Sequence, residues 1–82
     1  LLKMIIQVLA FGIVKEIFGQ SVIKIDLAGN NVAALKDVLE EKYPRLKQLA
    51  SYMVAVNNQY AQPDRLIDHT DEIAIIPPVS GG

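Results

Sequence analysis

Apolar and polar residues alternate most clearly from Ser21 to Leu27, where Ile23, Ile25 and Leu27 fall on one side and Val22, Lys24 and Asp26 on the other. A period of two predicts a half-buried strand with one wet face. Met4 to Ala10 is rich in branched residues and predicts an earlier strand. Phe11-Gly12 breaks it, a short helical turn follows over Val14 to Phe18, and Gly19 is placed to end that turn. The short return from the first strand to the second predicts antiparallel pairing, because a parallel return needs a longer crossover.

The period then changes. Val32, Leu35, Val38 and Leu39 recur at helical spacing, with Lys36, Asp37, Glu40 and Glu41 as a solvated face. Asn30 or Asn31 is placed to cap this helix, and Pro44 ends it near Tyr43, since the residue before proline is pushed out of the α region. Leu46 to Ala50 reads as another helical turn and Tyr52 to Val56 as a third strand. Asn57-Asn58 marks a turn, because asparagine tolerates positive φ. Gln59 to Gln62 predicts a short edge strand stopped by Pro63, and Asp64 to Asp71 a polar loop. Glu72 to Ile76 closes the series. Its apolar run without alternation predicts a central strand buried on both faces.

One amphipathic helix covers one face of such a sheet, which predicts a two-layer α+β domain. A mixed sheet of four to five strands packed on one main helix is the β-grasp, or ubiquitin-like, arrangement. The reading divides the chain into a β-grasp domain over 1–76 and a flexible C-terminal Gly-Gly tail over 77–82.

Composition narrows the function. With 82 residues there is room for one core, and 51% hydrophobic content is enough to build it. The absence of cysteine removes disulfides, thiolate metal sites and a cysteine nucleophile, and fits a reducing, cytoplasmic setting. A formal charge of -1 argues against non-specific nucleic-acid binding. The apolar run from Met4 to Val14 is too short for a membrane helix, which needs about 20 residues. No membrane and no nucleic-acid partner is therefore expected.

Catalytic patterns are sparse. No Walker sequence or GxGxxG is present to cradle phosphate. His69 has Asp68 and Asp71 nearby, but Ser80 lies in a tail with nothing evident to hold it, so a triad is not expected. Asp64, Asp68, Asp71 and Glu72 lack the ligand spacing and turn glycine of a calcium loop. No metal site is expected.

The ending is different. Pro77-Pro78-Val79-Ser80-Gly81-Gly82 carries no charged side chain, so its only charge is the terminal carboxylate of Gly82. Extended, the arm reaches roughly 20 Å. Two prolines stiffen it, and two Cβ-free residues at the tip pass a narrow channel. A carboxylate is a poor electrophile until activated, and an adenylyl group supplied by another protein makes it displaceable by a sulfur donor.

That terminus resembles the end of the small, sulfur-carrying subunits of molybdopterin synthases. The match extends to Ala55-Val56-Asn57, Asp71-Glu72-Ile73, and Phe11-Gly12 followed by Lys15-Glu16. The resemblance implies that a ubiquitin-activating-like adenylyltransferase partner uses ATP to adenylate Gly82, and that sulfur then replaces the adenylate to give a thiocarboxylate. It implies a second partner, the large synthase subunit, where sulfur passes to precursor Z (cyclic pyranopterin monophosphate) in molybdenum cofactor biosynthesis. Gly82 is then the reacting group, and Gly81, Ser80, Val79, Pro78 and Pro77 give it access. The resemblance further implies that the chain itself binds no cofactor, donates sulfur within a complex and is not catalytic alone. The alternatives are a carrier for thiamin thiazole synthesis, which typically lacks the Pro-Pro-Val lead-in, a ubiquitin-like modifier of lysines, and an inert interaction module.

Overall fold

The computed structural model describes residues 3–49 and 51–78. Its elements are β1 (Met4–Ala10), α1 (Gly12–Phe18), β2 (Val22–Leu27), α2 (Val32–Lys42), a 3-10 turn (Pro44–Gln48), β3 (Met53–Val56), β4 (Gln59–Tyr60) and β5 (Ile73–Ile76). They form a five-stranded mixed sheet in the order β2-β1-β5-β3-β4, with β1 and β5 parallel and the other pairs antiparallel. This is the expected β-grasp, with β5 at its centre.

The pattern of β2 holds residue by residue. Ile23, Ile25 and Leu27 are buried and pair beside Val8, Ile6 and Met4 of β1, while Val22, Lys24 and Asp26 face out. Val32, Leu35 and Leu39 turn from α2 into the same core, and Val38 sits at its edge, half-buried. Val14 and Phe18 of α1 and Leu46 of the 3-10 turn fill the rest of that layer. The Phe18 and Tyr43 rings meet at 4.5 Å between centroids, tilted by 37°. All the helical elements thus lie on one face of the sheet.

The ends of the helices follow from local chemistry. Gly19 closes α1 at φ 82°, in the left-handed region, and its N–H donates to the Lys15 carbonyl. Asn31, of the two asparagines, caps α2, its Oδ1 accepting the Ala34 N–H at 2.8 Å. The preceding orphan donors of α2 are taken by a distant loop. The Val32 N–H donates to the Arg65 carbonyl at 3.0 Å and the Ala33 N–H to the Pro63 carbonyl at 2.9 Å. The polar stretch before β5 therefore secures the helix start, and Ile67 from it is buried in the core.

Three expectations need correction. The turn after α2 begins at Pro44, not Leu46, because proline is tolerated at the start of a helical turn, where no N–H is needed. Lys36 and Glu40 are not wholly on a solvated face. The Tyr52 hydroxyl donates to Glu40 Oε2, and Lys36 Nζ lies 4.8 Å from the Tyr52 ring centroid. Burial and then the Glu40 carboxylate raise the Tyr52 pKa above its ordinary value, so the phenol stays a proton donor. Finally, β5 is central but is not buried on both faces. Ile73 and Ile75 are buried, whereas Ala74 and Ile76 are half-buried on a face that no helix covers.

Candidate docking face and tail root

The uncovered face of the sheet is built by strand register. Leu9 of β1 stands beside Val22 of β2 and Ala74 of β5, Ala74 stands beside Ala55 of β3, and Ala55 stands beside Tyr60 of β4. One row of apolar or aromatic side chains therefore crosses all five strands. Ile76 and Met53 pair in the next row towards the tail. Small residues occupy the middle of the first row and large ones its ends, so the row has a trough. The resulting groove has a volume of about 430 Å³ and is walled by Leu9, Phe11, Tyr60 and Ile76 over a floor of Ala55 and Ala74. Phe11 is 49% exposed and Tyr60 68%. Single exposed apolar residues are ordinary, but a contiguous apolar surface marks a site of interaction.

Polar groups flank this groove at one end. Asn58 and Glu72 line it. Asn57 and Asn58 have φ of 52° and 68°, the left-handed pair that a two-residue hairpin turn demands. The Asn57 Nδ2 donates to Asp71 Oδ1 at 2.9 Å, and its Oδ1 accepts the Glu72 N–H at 2.9 Å. The Asp71 carboxylate also accepts the Asp68 N–H at 2.8 Å. That backbone bond first, and the Asn57 amide second, hold the Asp71 pKa below its ordinary value.

At the other end β5 runs out of the sheet into Pro77 and Pro78, both half-buried. The groove and the root of the tail are therefore parts of one surface. Val79, Ser80, Gly81 and Gly82 lie outside the described residues. His69 is an exposed loop residue whose Nδ1 is 2.9 Å from Asp68 Oδ1. Among the described residues no polar or charged side chain is buried. No cluster of His, Cys, Asp or Glu among them is arranged to hold a metal ion, and no helix among them is long and apolar enough to cross a membrane.

The tail motif stands out in the sequence, whereas the transverse row and the place of Phe11 in the groove wall do not. The available signal was the unalternating run from Ile73 to Ile76, whose second apolar face has no helix to cover it.

The chain is similar to known proteins along nearly its whole length. A molybdopterin synthase sulfur carrier subunit from Dictyostelium discoideum is 40% identical over 81 residues, covering 93% of this chain and 94% of that protein. The solution structure of small archaeal modifier protein 1 from Methanosarcina acetivorans superposes with a TM-score of 0.81 at 25% identity, covering 99% of both chains. A chain from the protein–protein complex of subunits 1 and 2 of the molybdopterin-converting factor from Helicobacter pylori 26695 matches with a TM-score of 0.68 at 26% identity. It covers 96% of this chain and 100% of that one. The profile of the ThiS family matches residues 8–82, from the middle of β1 through the Gly-Gly terminus, and the chain belongs to that family.

Proposed function

We propose that this chain is the sulfur carrier subunit of a molybdopterin synthase. The observation that carries the reading is the extent of the likeness. The family match runs to Gly82, and a relative 40% identical over nearly all of both chains bears that function in its name. The apolar groove beside the tail root supports it, because a carrier must be held by a partner while its tip reacts.

The chemistry is confined to the terminus. A Gly82 carboxylate oxygen attacks the α-phosphorus of ATP on an adenylyltransferase partner, and pyrophosphate leaves. A sulfur nucleophile at the sulfide level then attacks the acyl carbon and expels AMP, giving the thiocarboxylate. The loaded tail enters the large synthase subunit, where its sulfur bonds to the cyclic pterin precursor and water then cleaves the acyl C–S bond, leaving sulfur on the pterin and restoring the Gly82 carboxylate. Gly81 lets the tip approach closely, while Pro77 and Pro78 limit the conformations that must be ordered on entry. Nucleotide and pterin pockets belong to the partners, and this reading places the carrier in the cytoplasm.

Reconstitution tests the assignment. Loaded chain mixed with the large subunit converts the precursor, and either protein alone does not. Turnover by this chain alone would contradict the carrier role. The fold likeness to small archaeal modifier protein 1 favours one second reading, attachment of Gly82 to lysines of other proteins. Covalent laddering of cell proteins that requires Gly82 would support it.

A further inference from the structure

Strands β1 and β5 run parallel, with Val8 beside Ile73, Leu9 beside Ala74 and Ala10 beside Ile75. The offset is constant, so two further steps bring Gly12 level with Pro77. There the two segments part. Gly12 adopts a φ of 54° and turns the chain out of the sheet into α1. Pro77 has no N–H with which to extend the ladder.

The contact between them is close. A Cβ placed on Gly12 would lie 3.2 Å from Pro77 Cγ and 4.0 Å from Pro77 Cβ. The shorter distance is inside ordinary carbon–carbon contact, which is about 3.5–4.0 Å. The proline ring thus rests in the space that a side chain at position 12 would claim. Gly19 provides the contrast. Its φ is 82°, yet a Cβ there meets nothing within 4 Å, so its conformation alone calls for glycine. Gly12 answers two demands, one of conformation and one of space.

We infer that Gly12 is a positioning residue for the tail: by leaving a Cβ-free seat for the Pro77 ring, it sets the direction in which Pro77 and Pro78 leave the sheet. This inference rests on the carrier reading for its functional consequence. Pro77 is the root of an arm that reaches roughly 20 Å, so a small displacement at the seat grows towards the tip. The seat adjoins the groove, since Phe11 and Ile76 of the groove wall are the chain neighbours of Gly12 and Pro77. A change at Gly12 therefore acts on delivery of the carboxylate, and its effect on docking is measured separately.

The test compares Gly12→Ala, Pro77→Ala and the double variant with the unaltered chain. Gly12→Ala lowers the rate of thiocarboxylate formation at saturating adenylyltransferase by about tenfold, less than the roughly hundredfold that a misplacement of about 1 Å can cost, because the clash with Pro77 is relieved by a smaller shift. Its affinity for that partner is measured alongside, so that a loading defect at saturation is told apart from weaker docking. Pro77→Ala removes Cγ, the atom that Gly12→Ala would strike, so the double variant loads faster than Gly12→Ala alone. Backbone strain at φ 54° would lower stability equally in both backgrounds and would show no such rescue. Residual dipolar couplings of the Pro78 Cα–Hα and Cα–C′ vectors need no partner and follow the same order. They shift in Gly12→Ala and return towards the original values in the double variant. Unchanged couplings, or a double variant no faster than Gly12→Ala, overturn the inference. If the unaltered chain fails to load while the couplings behave as expected, the carrier reading fails and the seat stands.

Discussion

Asn57 holds Glu72 by both of its backbone polar groups. The Asn57 N–H donates to the Glu72 carbonyl at 2.8 Å, and Asn57 Oδ1 accepts the Glu72 N–H at 2.9 Å. The β3–β4 turn is thereby fastened to the residue just before β5, the strand that leads to the tail. Asn57→Ala removes the side-chain half of this clasp and puts a methyl-bearing residue at positive φ. It should cost about 1–3 kcal/mol, read by urea unfolding. Asn57→Gly restores the freedom of the turn but not the bonds, and should fall between the two. Equal stability of all three chains would show that the clasp contributes nothing.

The same cluster gives the protein an acid sensitivity. The native state holds the Asp71 pKa below its ordinary value of about 3.9, mainly through the Asp68 N–H and then the Asn57 amide. A depressed carboxylate stabilises the fold above its unfolded pKa, and the benefit is lost as pH falls through the folded pKa. The group is largely exposed, so the effect is modest. Stability measured from pH 7 downwards should decline below about pH 4, and less steeply in Asp71→Asn. Parallel curves for the two chains would contradict this assignment.

Much of the fold was legible because local chemistry and burial agreed. The alternation of β2, the stripe of α2, Gly19 as a stop and Pro44 as a breaker each rest on a few neighbouring residues. The securing of α2 by the Pro63 and Arg65 carbonyls was not legible, since backbone acceptors leave no mark in side-chain pattern. The second face of β5 was misread for a physical reason. Ala74 and Ile76 are apolar, but nothing within the described fold covers them, and a run of apolar residues does not distinguish a helix from a partner as its cover. Of the site, the tail motif was plain in sequence. The row from Val22 to Tyr60 was not, because it exists only once four strand registers are set.

The core prediction concerns Leu35, which is fully buried between α2 and the sheet. Leu35→Ala should destabilise the chain by about 2–5 kcal/mol, the usual range for such a cavity. Val38→Ala, at the edge of the same stripe, should cost less. Chemical unfolding of the two variants checks the order, and a reversed order would mean that the stripe is wrongly oriented.

The groove prediction separates docking from chemistry. Tyr60→Ala and Phe11→Ala remove walls of the groove without opening the core, so both should fold normally. Each should weaken binding to the large synthase subunit by about tenfold or more, as loss of a large interface aromatic does. Leu66→Ala, equally exposed but outside the groove, should bind as before. Titration calorimetry decides, and unaltered affinity in both aromatic variants would remove this face from the interface.

The central claim is that the Gly82 carboxylate is the group converted and delivered. The most direct measurement is the intact mass of the chain after incubation with adenylyltransferase, ATP and a sulfide source. The account predicts a gain equal to exchange of one oxygen for sulfur, localised to the C-terminal fragment. A chain lacking Gly82, or extended by one residue after it, should keep its circular dichroism spectrum and show no gain, because the carboxylate is no longer placed for activation. Sulfur gained at an equal rate by the chain lacking Gly82 would contradict it.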